Sequence, residues 1–446
     1  MPRTYPSLPV YLVLLALGFF AECQLSAHET EAGLHHWEIA SKDPDRIFLS
    51  FHGDPATSRA VTWRTDTTIE QARAQIAVAT GNPKFDREAM TLEAATERVE
   101  LSLHKANKQA FVHYHSVVFE DLLPDTLYAY RVGSRGHWSE WIQFRTAKTE
   151  LAPFSFVYFG DAQNEILGKW SRNIRMSYTV APEAAFAIHA GDLVDNGHMD
   201  TQWAEWFKAG GWIHSQRTGI PVVGNHEYRP IPGVSKEKLI SMVWRPQFTL
   251  PEDPSLPEAL QETVYTVDYQ GLRVIVLNCI DDIETQAKYL RQQLKRPGAK
   301  WTVVTSHYSI FTPNKKRGLQ QSTKLWLPII EEFSVDLVLQ GHDHAYLRGH
   351  QPVRFASGEA GDSLQTMFVT SMSGAKQYDI AHERVETYAR MNYSPDKKGV
   401  QKQFFQVIEV NGLELTYSAY TADGVLFDRA VITKDPETGL KHLQNH

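Results

Sequence analysis

Five short polar blocks in this chain combine residue types that bind metal ions with a spacing that would bring them together. Each block follows an apolar run typical of a buried strand; Phe154 to Phe159, for instance, stands directly before the first block. Open α/β sheets hold their ligands at such strand ends. The blocks are Gly160-Asp161-Ala162-Gln163, Gly191-Asp192, Gly224-Asn225-His226-Glu227, Val304-Thr305-Ser306-His307 and Gly341-His342-Asp343-His344.

Carboxylate, amide and imidazole groups suit divalent and trivalent metals of hard or borderline character. Two such ions about 3.5–4 Å apart need one anionic ligand that contacts both, and a pair of this kind supports phosphoester hydrolysis. Asp192 is the candidate for the shared ligand.

The composition describes an ordinary globular protein and limits its partners. The chain has 446 residues, 42% hydrophobic and 22% charged, so it is long enough for two domains with large cores. Its formal net charge of -7 offers no basic surface of the kind that attracts nucleic acids or anionic membranes. No nucleic-acid partner is expected. A phosphorylated small molecule must be recognised by residues at its own site and not by the overall charge of the surface.

The N-terminal segment, residues 1–27, has the pattern of a cleaved secretory signal peptide. Arg3 precedes an apolar run of about eleven residues, Val10 to Phe20, and small and polar residues follow. That run is shorter than the roughly 20 residues that span a bilayer, so no stable membrane span is expected. The pattern predicts a secreted or periplasmic protein. Lipid attachment at Cys23 is the alternative, which Glu22 disfavours because a small residue usually stands there.

An all-β domain is predicted over residues 40–148. Short alternating runs such as Ile47 to Phe51 recur there between turn residues. The segment from Leu123 to Val132 resembles the tyrosine corner of fibronectin type III sandwiches, in which a Tyr hydroxyl bonds back to the chain just upstream. Trp63 is the predicted core tryptophan of this sandwich.

The pattern changes to α/β after a linker at 146–153, and a second domain is predicted over residues 152–435, because strand-like runs there alternate with helical stretches. We expect the C-terminal strands to complete a second sheet of this domain. The predicted helices are Tyr178 to Ala185, Thr201 to Lys208, Thr285 to Arg296 and Thr323 to Phe333, and the C-terminal strands are Phe404 to Val410, Leu413 to Tyr420 and Val425 to Thr433.

Two further patterns concern the surroundings of the site. Repeated prolines between Arg229 and Pro257 predict a long surface insertion, and insertions of that length often shape access to a site. Trp203, Trp206 and Trp212 recur at near-helical spacing, which predicts a buried stripe.

The five blocks, in this order, resemble those of the calcineurin-like metallophosphoesterase superfamily. The β-sandwich ahead of them resembles the purple acid phosphatase branch, with its fibronectin type III-like N-terminal domain. The resemblance covers nearly the whole chain after the signal peptide. It implies that the all-β sandwich is followed by an α/β four-layer sandwich, and that the site holds two divalent or trivalent metal ions, with Fe, Mn and Zn as the candidates.

The resemblance also assigns roles residue by residue. His226 matches the outer histidine that binds the substrate phosphate and protonates the leaving group. The implied metal ligands are Asp161 and His344 for the first ion, Asn225, His307 and His342 for the second, and Asp192 as the bridge.

The sequence departs from the purple branch at two positions beside these ligands. Asp195 stands three residues after Asp192, where that branch has the metal-bound tyrosine on which the purple colour depends. We therefore expect a holoprotein without an intense visible band, and Asp195 is either a metal ligand or a residue that supports the site from outside. Gln163 follows Asp161 by two residues; its carbonyl oxygen either completes the first metal's shell or binds hydroxide or substrate through a hydrogen bond.

A third departure is a basic loop after His307. It carries Lys315, Lys316 and Arg317 in the region where plant-type members have further histidines near the substrate. Arg suits bidentate contact with phosphate, and Lys offers a point charge. The loop is a candidate for binding the substrate phosphate, and a solvated basic cluster is the alternative.

Together these inferences predict a secreted phosphatase of the acid phosphatase type. The predicted reaction is hydrolysis of a phosphomonoester by attack of a metal-bound hydroxide, with His226 assisting the departing alkoxide. A phosphodiesterase or nucleotide hydrolase on the same site is one alternative, and a non-catalytic surface-binding protein is another.

Overall fold

The computed structural model describes residues 35–101, 110–231, 233–354 and 360–446. The predicted signal peptide and Cys23 lie outside these ranges. Residues Ala40–His446 form one compact unit. None of the helices in the described ranges has the length and apolar character that a membrane crossing requires.

A β-sandwich forms the first part of this unit, as the alternating runs predict. One antiparallel sheet has the strand order β1–β2–β6–β5, and the other joins β4, β3 and β7, with β8 and β9 paired to β7. The strands are β1 (Asp45–Ser50), β2 (Arg59–Thr65), β3 (Arg73–Val78), β4 (Met90–Glu93), β5 (Ala95–Glu100), β6 (Phe111–Phe119), β7 (Leu127–Ser134), β8 (His137–Trp138) and β9 (Ile142–Arg145).

The core of the sandwich follows from the alternation of its strands. In β1, Leu49 faces the sandwich core while Phe48 faces the larger core that the sandwich shares with the rest of the unit. Trp63 is fully buried, which confirms it as the core tryptophan. The Leu123 amide donates a hydrogen bond to the Tyr128 hydroxyl at 2.8 Å, which is the upstream contact predicted for the corner tyrosine.

The remainder of the unit alternates strands and helices. Its strands are β10 (Phe154–Phe159), β11 (Phe186–His189), β12 (Thr218–Pro221), β13 (Tyr228–Ile231), β14 (Ser235–Ile240), β15 (Tyr265–Tyr269), β16 (Leu272–Val276), β17 (Trp301–Ser306), β18 (Leu337–Gln340), β19 (Tyr346–Arg354), β20 (Ala360–Thr370), β21 (Ser394–Gly399), β22 (Phe404–Asn411), β23 (Glu414–Thr421), β24 (Leu426–Lys434) and β25 (Lys441–Asn445). Its α-helices are α1 (Ser171–Val180), α2 (Asp200–Gly210), α3 (Trp212–Gln216), α4 (Trp244–Gln247), α5 (Ile283–Lys295), α6 (Gln321–Glu332) and α7 (His382–Thr387).

Apart from the β13–β14 hairpin, these strands build two mixed sheets, which meet at one β20–β25 pairing, Leu364 with Lys441. The first runs β12–β11–β10 in parallel and continues antiparallel through β22, β23, β24 and β25. The second runs β15–β16–β17–β18–β20–β19–β21, with its central strands parallel. The expectation that the C-terminal strands complete a second sheet is wrong, because β22 pairs directly with β10 from Phe154–Val410 to Tyr158–Gln406.

Period-2 alternation in the second sheet separates the layers. Val274 and Val276 of β16 lie in the core that faces the first sheet, whereas Ile275 between them packs with the cluster that includes α5 and α6. Leu337 and Val338 of β18 divide in the same way. Stacked sheets with helices packed on them confirm the predicted α/β layer architecture.

Three of the four predicted helices correspond to α2, α5 and α6, whereas the short helices α3, α4 and α7 were not predicted. The helix expected at Tyr178 to Ala185 ends instead at Val180, because Pro182 disfavours helical backbone in the residue before it. The tryptophan stripe is only partly present. Trp203 and Trp206 are fully buried in α2, but Gly211, at φ +54°, ends that helix and leaves Trp212 52% exposed.

A buried ion cluster fixes the sandwich against α2. Arg46 Nη1 lies 2.6 Å from Asp200 Oδ1, and Arg64 Nη1 lies 3.1 Å from Asp200 Oδ2. Arg64 also pairs with Asp45 at 2.6 Å. Buried charges are tolerated only when they are paired, so this cluster specifies how the two parts pack.

Candidate metal centre

The polar blocks lie at the carboxyl ends of parallel strands from both sheets. Asp161 and Asp192 follow β10 and β11 of the first sheet, and His307 follows β17 of the second. The pair His342 and His344 follows β18, while Asn225 and His226 follow β12. The strand ends of both sheets thus contribute to one site.

The backbone at these ends is shaped to aim the ligands. Asp192, His342 and His344 adopt φ of 51°, 75° and 48°, in the left-handed region that few non-glycine residues occupy. The preceding glycines permit close approach. A Cβ on Gly224 would lie 2.2 Å from Asp192 Oδ1, and one on Gly341 would lie 2.4 Å from Asp161 Oδ1.

Two ligand clusters converge and share one residue. Side-chain ligand atoms of Asp161, Asp192 and His344 lie within 4.8 Å of one another, and so do those of Asp192, His307 and His342. His307 Nε2 is 3.0 Å from Asp192 Oδ2, and His344 Nε2 is 3.3 Å from Asp161 Oδ2. Asp192 therefore stands where a bridging ligand would.

The donor atoms fit two cations. His307 Nε2 and His342 Nδ1 lie 3.1 Å apart and point lone pairs or protons at each other. The Asn225 side-chain oxygen is buried and accepts no hydrogen bond from the described residues. A metal ion between these groups would use both the imidazole lone pairs and this oxygen, and imidazole, amide and carboxylate ligands suit Fe, Mn and Zn.

The electrostatics of the centre favour positive charge. Burial would raise the pKa of Asp192, but the neighbouring His307 imidazole outweighs it and lowers that pKa to about 2. Burial would lower the pKa of His307, but Asp192 and Asp161 raise it to about 9. Two fully buried carboxylates whose oxygens lie within 4.8 Å of each other thus favour a compensating cation.

Gln163 lies among the ligands. Its amide nitrogen is 3.0 Å from Asp192 Oδ2 and 3.1 Å from His344 Nε2, and its oxygen is buried without a partner in the described residues. Both interpretations of Gln163, ligand or hydrogen-bond donor, remain predictions.

Glu227 holds the loops that carry the bridging aspartate. Its carboxylate accepts hydrogen bonds from the amides of Gly224 at 2.7 Å and of Asp192 and Leu193 at 2.9 Å. Burial, followed by the charge of Asp192, raises the pKa of Glu227 to about 7. This one side chain ties the end of β12 to the end of β11.

His226 stands between an acid and an arginine at the border of the centre. Its Nδ1 lies 2.5 Å from the Asp195 carbonyl oxygen and 3.3 Å from the Asp195 carboxylate, while its Nε2 lies 3.8 Å from Asp192 Oδ2. Arg229 Nη2 lies 3.1 Å from His226 Nε2. Burial would lower the pKa of His226, but its contacts with Asp195 and the charge of Asp192 raise it. Asp195 contacts the histidine and belongs to neither ligand cluster among the described residues.

The basic loop is near the centre but does not enter it. Arg317 Nε lies 3.4 Å from a carboxylate oxygen of Asp343, which stands between the two histidines of the last block. Lys315 and Lys316 are exposed. The structure thus places Arg317 against the site and the two lysines at its margin.

Several contacting residues were not identified from the sequence. Arg229 carries a weak signal, since it follows His226 by three residues. The Tyr308 ring packs 4.3 Å from His342, and the Tyr378 ring packs 4.8 Å from His344. The Lys376 carbonyl oxygen lies 3.2 Å from His344 Nδ1. The sequence around Lys376 and Tyr378 contains no motif that identifies them as site residues, because only the tertiary packing brings them to the metal centre.

Two family models match the chain. The model described as Purple acid Phosphatase, N-terminal domain, matches residues 44–146, and the model described as Calcineurin-like phosphoesterase matches residues 154–346. The second match contains all five polar blocks, and the first contains the sandwich strands β1 to β9.

Proteins of other organisms have sequences similar to this chain. An uncharacterised protein of Mycobacterium tuberculosis is 26% identical over 348 residues, which is 70% of this chain and 63% of that protein, so the chain spans less than two thirds of this relative. The Fe(3+)-Zn(2+) purple acid phosphatase 12 of Arabidopsis thaliana is 26% identical over 259 residues, 54% of this chain and 53% of the relative.

A solved structure shares the fold. The purple acid phosphatase PPD1 of yellow lupin (Lupinus luteus) superposes with a TM-score of 0.70 at 16% identity, covering 89% of this chain and 76% of that chain. The family predicted from the five blocks is confirmed. This chain belongs to the calcineurin-like phosphoesterases, in the branch that carries a purple acid phosphatase N-terminal domain ahead of the catalytic one.

Proposed function

We propose that this protein is an exported phosphatase that hydrolyses phosphomonoesters of small molecules at a binuclear metal centre. The observation that carries the proposal is the pair of ligand clusters that share Asp192. Family membership supports phosphoester hydrolysis, and the signal-peptide pattern of residues 1–27 supports export.

Asp161 and His344 would hold one metal ion, Asn225, His307 and His342 the other, and Asp192 both. Bound metals would supply Lewis acidity and neutralise charge on the transferring phosphoryl group. The name of the Arabidopsis relative, with Fe(3+) and Zn(2+), supports Fe and Zn as candidates beside Mn. Asp195 in place of a tyrosine supports a holoprotein without an intense visible band.

The chain's own residues would complete the reaction. His226 borders the centre with its Nε2 toward Asp192, so a protonated ring could donate to the leaving oxygen. Asp195 would hold the ring by its contacts with Nδ1. Arg229 would place a cation beside the phosphate, because its guanidinium lies against the same ring.

The sandwich has a supporting part in this proposal. Its fibronectin type III-like character is supported by the contact between Leu123 and the Tyr128 hydroxyl. The proposed boundaries, 40–148 and 152–435, separate the two parts in sequence, while the Arg46–Asp200 contact joins them in space.

The test measures metal content and hydrolysis of 4-nitrophenyl phosphate in the same fractions of signal-free protein, with bis(4-nitrophenyl) phosphate as the diester. We expect about two ions per chain and faster turnover of the monoester. Asp192→Asn should lose metal and activity, whereas Asp86→Asn, at an exposed position, should retain both. Faster turnover of the diester would favour a phosphodiesterase, and absence of metal and activity after reconstitution with Fe, Mn or Zn would favour a non-catalytic binding protein.

A further inference from the structure

A cavity lies beside the metal centre and is separate from it. Two loop segments, residues 314–317 and 378–381, form its lining. Its volume is about 560 Å³, within the range of small-molecule pockets. Among the lining residues that the structure describes there is no candidate metal ligand.

The walls of this cavity are attached to the strand end that carries two of the ligands. The Tyr378 amide donates to the His344 carbonyl at 2.9 Å, and Arg317 pairs with Asp343 at 3.4 Å. The Ala381 amide donates to the Pro313 carbonyl at 2.9 Å, which joins the two segments. Because Tyr378 lines the cavity and its ring packs 4.8 Å from the His344 ring, the cavity lies next to a candidate metal ligand.

The charge of the lining suits an anion. Arg317 is partly compensated by Asp343, whereas the amino groups of Lys315 and Lys316 make no hydrogen bond or ion pair with any residue that the structure describes. Asp379 is the acidic residue of the lining. Lys376 adds a further cation nearby, with its amino group 5.7 Å from the centroid of the Tyr378 ring.

We propose that this cavity binds a second phosphate group on the leaving group of the substrate, so that the protein prefers bisphosphorylated small molecules. The inference rests on the proposed phosphomonoesterase function. Water would supply the oxygen that joins the first phosphorus as its ester P–O bond breaks, and the departing alkoxide would take a proton. The second ester would remain intact, held by Lys315 and Lys316 through charge-assisted contacts.

The test compares fructose 1,6-bisphosphate with fructose 6-phosphate and 4-nitrophenyl phosphate. The variant is Lys315→Gln with Lys316→Gln, and the control is Lys324→Gln, an exposed lysine of α6 outside the lining. We expect the double variant to lower kcat/KM for the bisphosphate roughly tenfold and to change kcat/KM for 4-nitrophenyl phosphate by less than about twofold. The control should leave both unchanged.

A binding measurement provides a readout without turnover. Calorimetric titration of metal-free protein with fructose 1,6-bisphosphate should show weaker binding to the double variant than to the wild type. Equal losses of kcat/KM on all substrates would overturn the inference, because the lysines would then act on the transferred phosphate, and so would no loss on any. If the metal-loaded wild type hydrolyses no monoester, the proposed function fails. Equal calorimetric affinities of the wild type and the double variant would, in that case, overturn binding of a phosphate in the cavity as well.

Discussion

Replacing Glu227 with Gln should weaken the metal centre without touching a candidate ligand side chain. One Glu227 oxygen accepts from the amides of Gly224 and Asp192, and the other accepts from Leu193 at 2.9 Å and Val194 at 3.4 Å. Glutamine has the same shape but offers one oxygen. Whichever way the side-chain amide is turned, its NH₂ group faces two backbone N–H groups. Because both groups are donors, neither contact can form a hydrogen bond.

The magnitude follows from those contacts. Two accepted hydrogen bonds are lost in a fully buried place, and each lost bond costs about 1–3 kcal/mol. Since Val194 is more distant, we expect unfolding free energy to fall by about 2–4 kcal/mol. Because the pKa of Glu227 is raised to about 7, the comparison belongs at pH 8, where the carboxylate is ionised in the wild type.

The assay is urea unfolding of metal-free protein, followed by metal retention after dialysis of loaded protein. Glu183→Gln, an exposed position, is the matched control and should resemble the wild type in both. The variant should unfold at lower urea and lose metal sooner, because the loop carrying Asp192 is no longer braced. Unchanged unfolding together with unchanged metal retention would refute the reasoning.

Three further predictions concern His226, the buried ion cluster and a buried histidine. His226→Ala should reduce turnover of alkyl phosphates more than of 4-nitrophenyl phosphate, because a good leaving group needs no acid. Asp200→Asn should lower the unfolding free energy by about 3–5 kcal/mol, since it leaves Arg46 buried beside a neutral side chain and removes an acid that pairs with Arg64, which keeps its contact with Asp45; urea unfolding measures this. Burial, with the charge of His113, lowers the pKa of His115 from 6.5 to about 4, so this group's contribution is present above pH 6.5 and is lost as pH falls through 4. Urea unfolding between pH 7 and pH 5 should therefore show a steeper loss for the wild type than for His115→Gln, by up to about 1.4 kcal/mol per pH unit.

Each of these has a clear contrary result. Equal losses on alkyl and aryl esters would contradict the acid role of His226. Asp86→Asn controls for the removal of one carboxylate, and equal stability of the Asp200 and Asp86 variants would contradict a stabilising ion cluster. Parallel pH profiles for the wild type and His115→Gln would contradict the buried neutral imidazole.

Much of the fold was predictable because its signals are local. The strand preceding Asp161 was predicted with the bounds that the structure has, Phe154–Phe159, since a run of apolar residues is bounded by a polar linker and a glycine. Helix α2 was predicted within two residues at each end, whereas the helix predicted at Tyr178 to Ala185 overlaps only the last residues of α1, which ends at Val180 before Pro182. The proline-rich sequence from Arg229 to Pro257 did not predict the β13–β14 hairpin, because prolines within a run argue against a strand.

The sequence by itself determined the family, the order of the polar blocks and their place at strand ends, because strand length, alternation and turn chemistry are properties of neighbouring residues. Only the tertiary structure decided which strands pair, as in β22 with β10, and which residues brace the site, as Glu227 and Asp195 do. It also decided that Tyr378 and Lys315 line one cavity beside His344. Such contacts join residues far apart in the chain, and their free energy depends on burial and distance, which exist only once the two sheets have packed together.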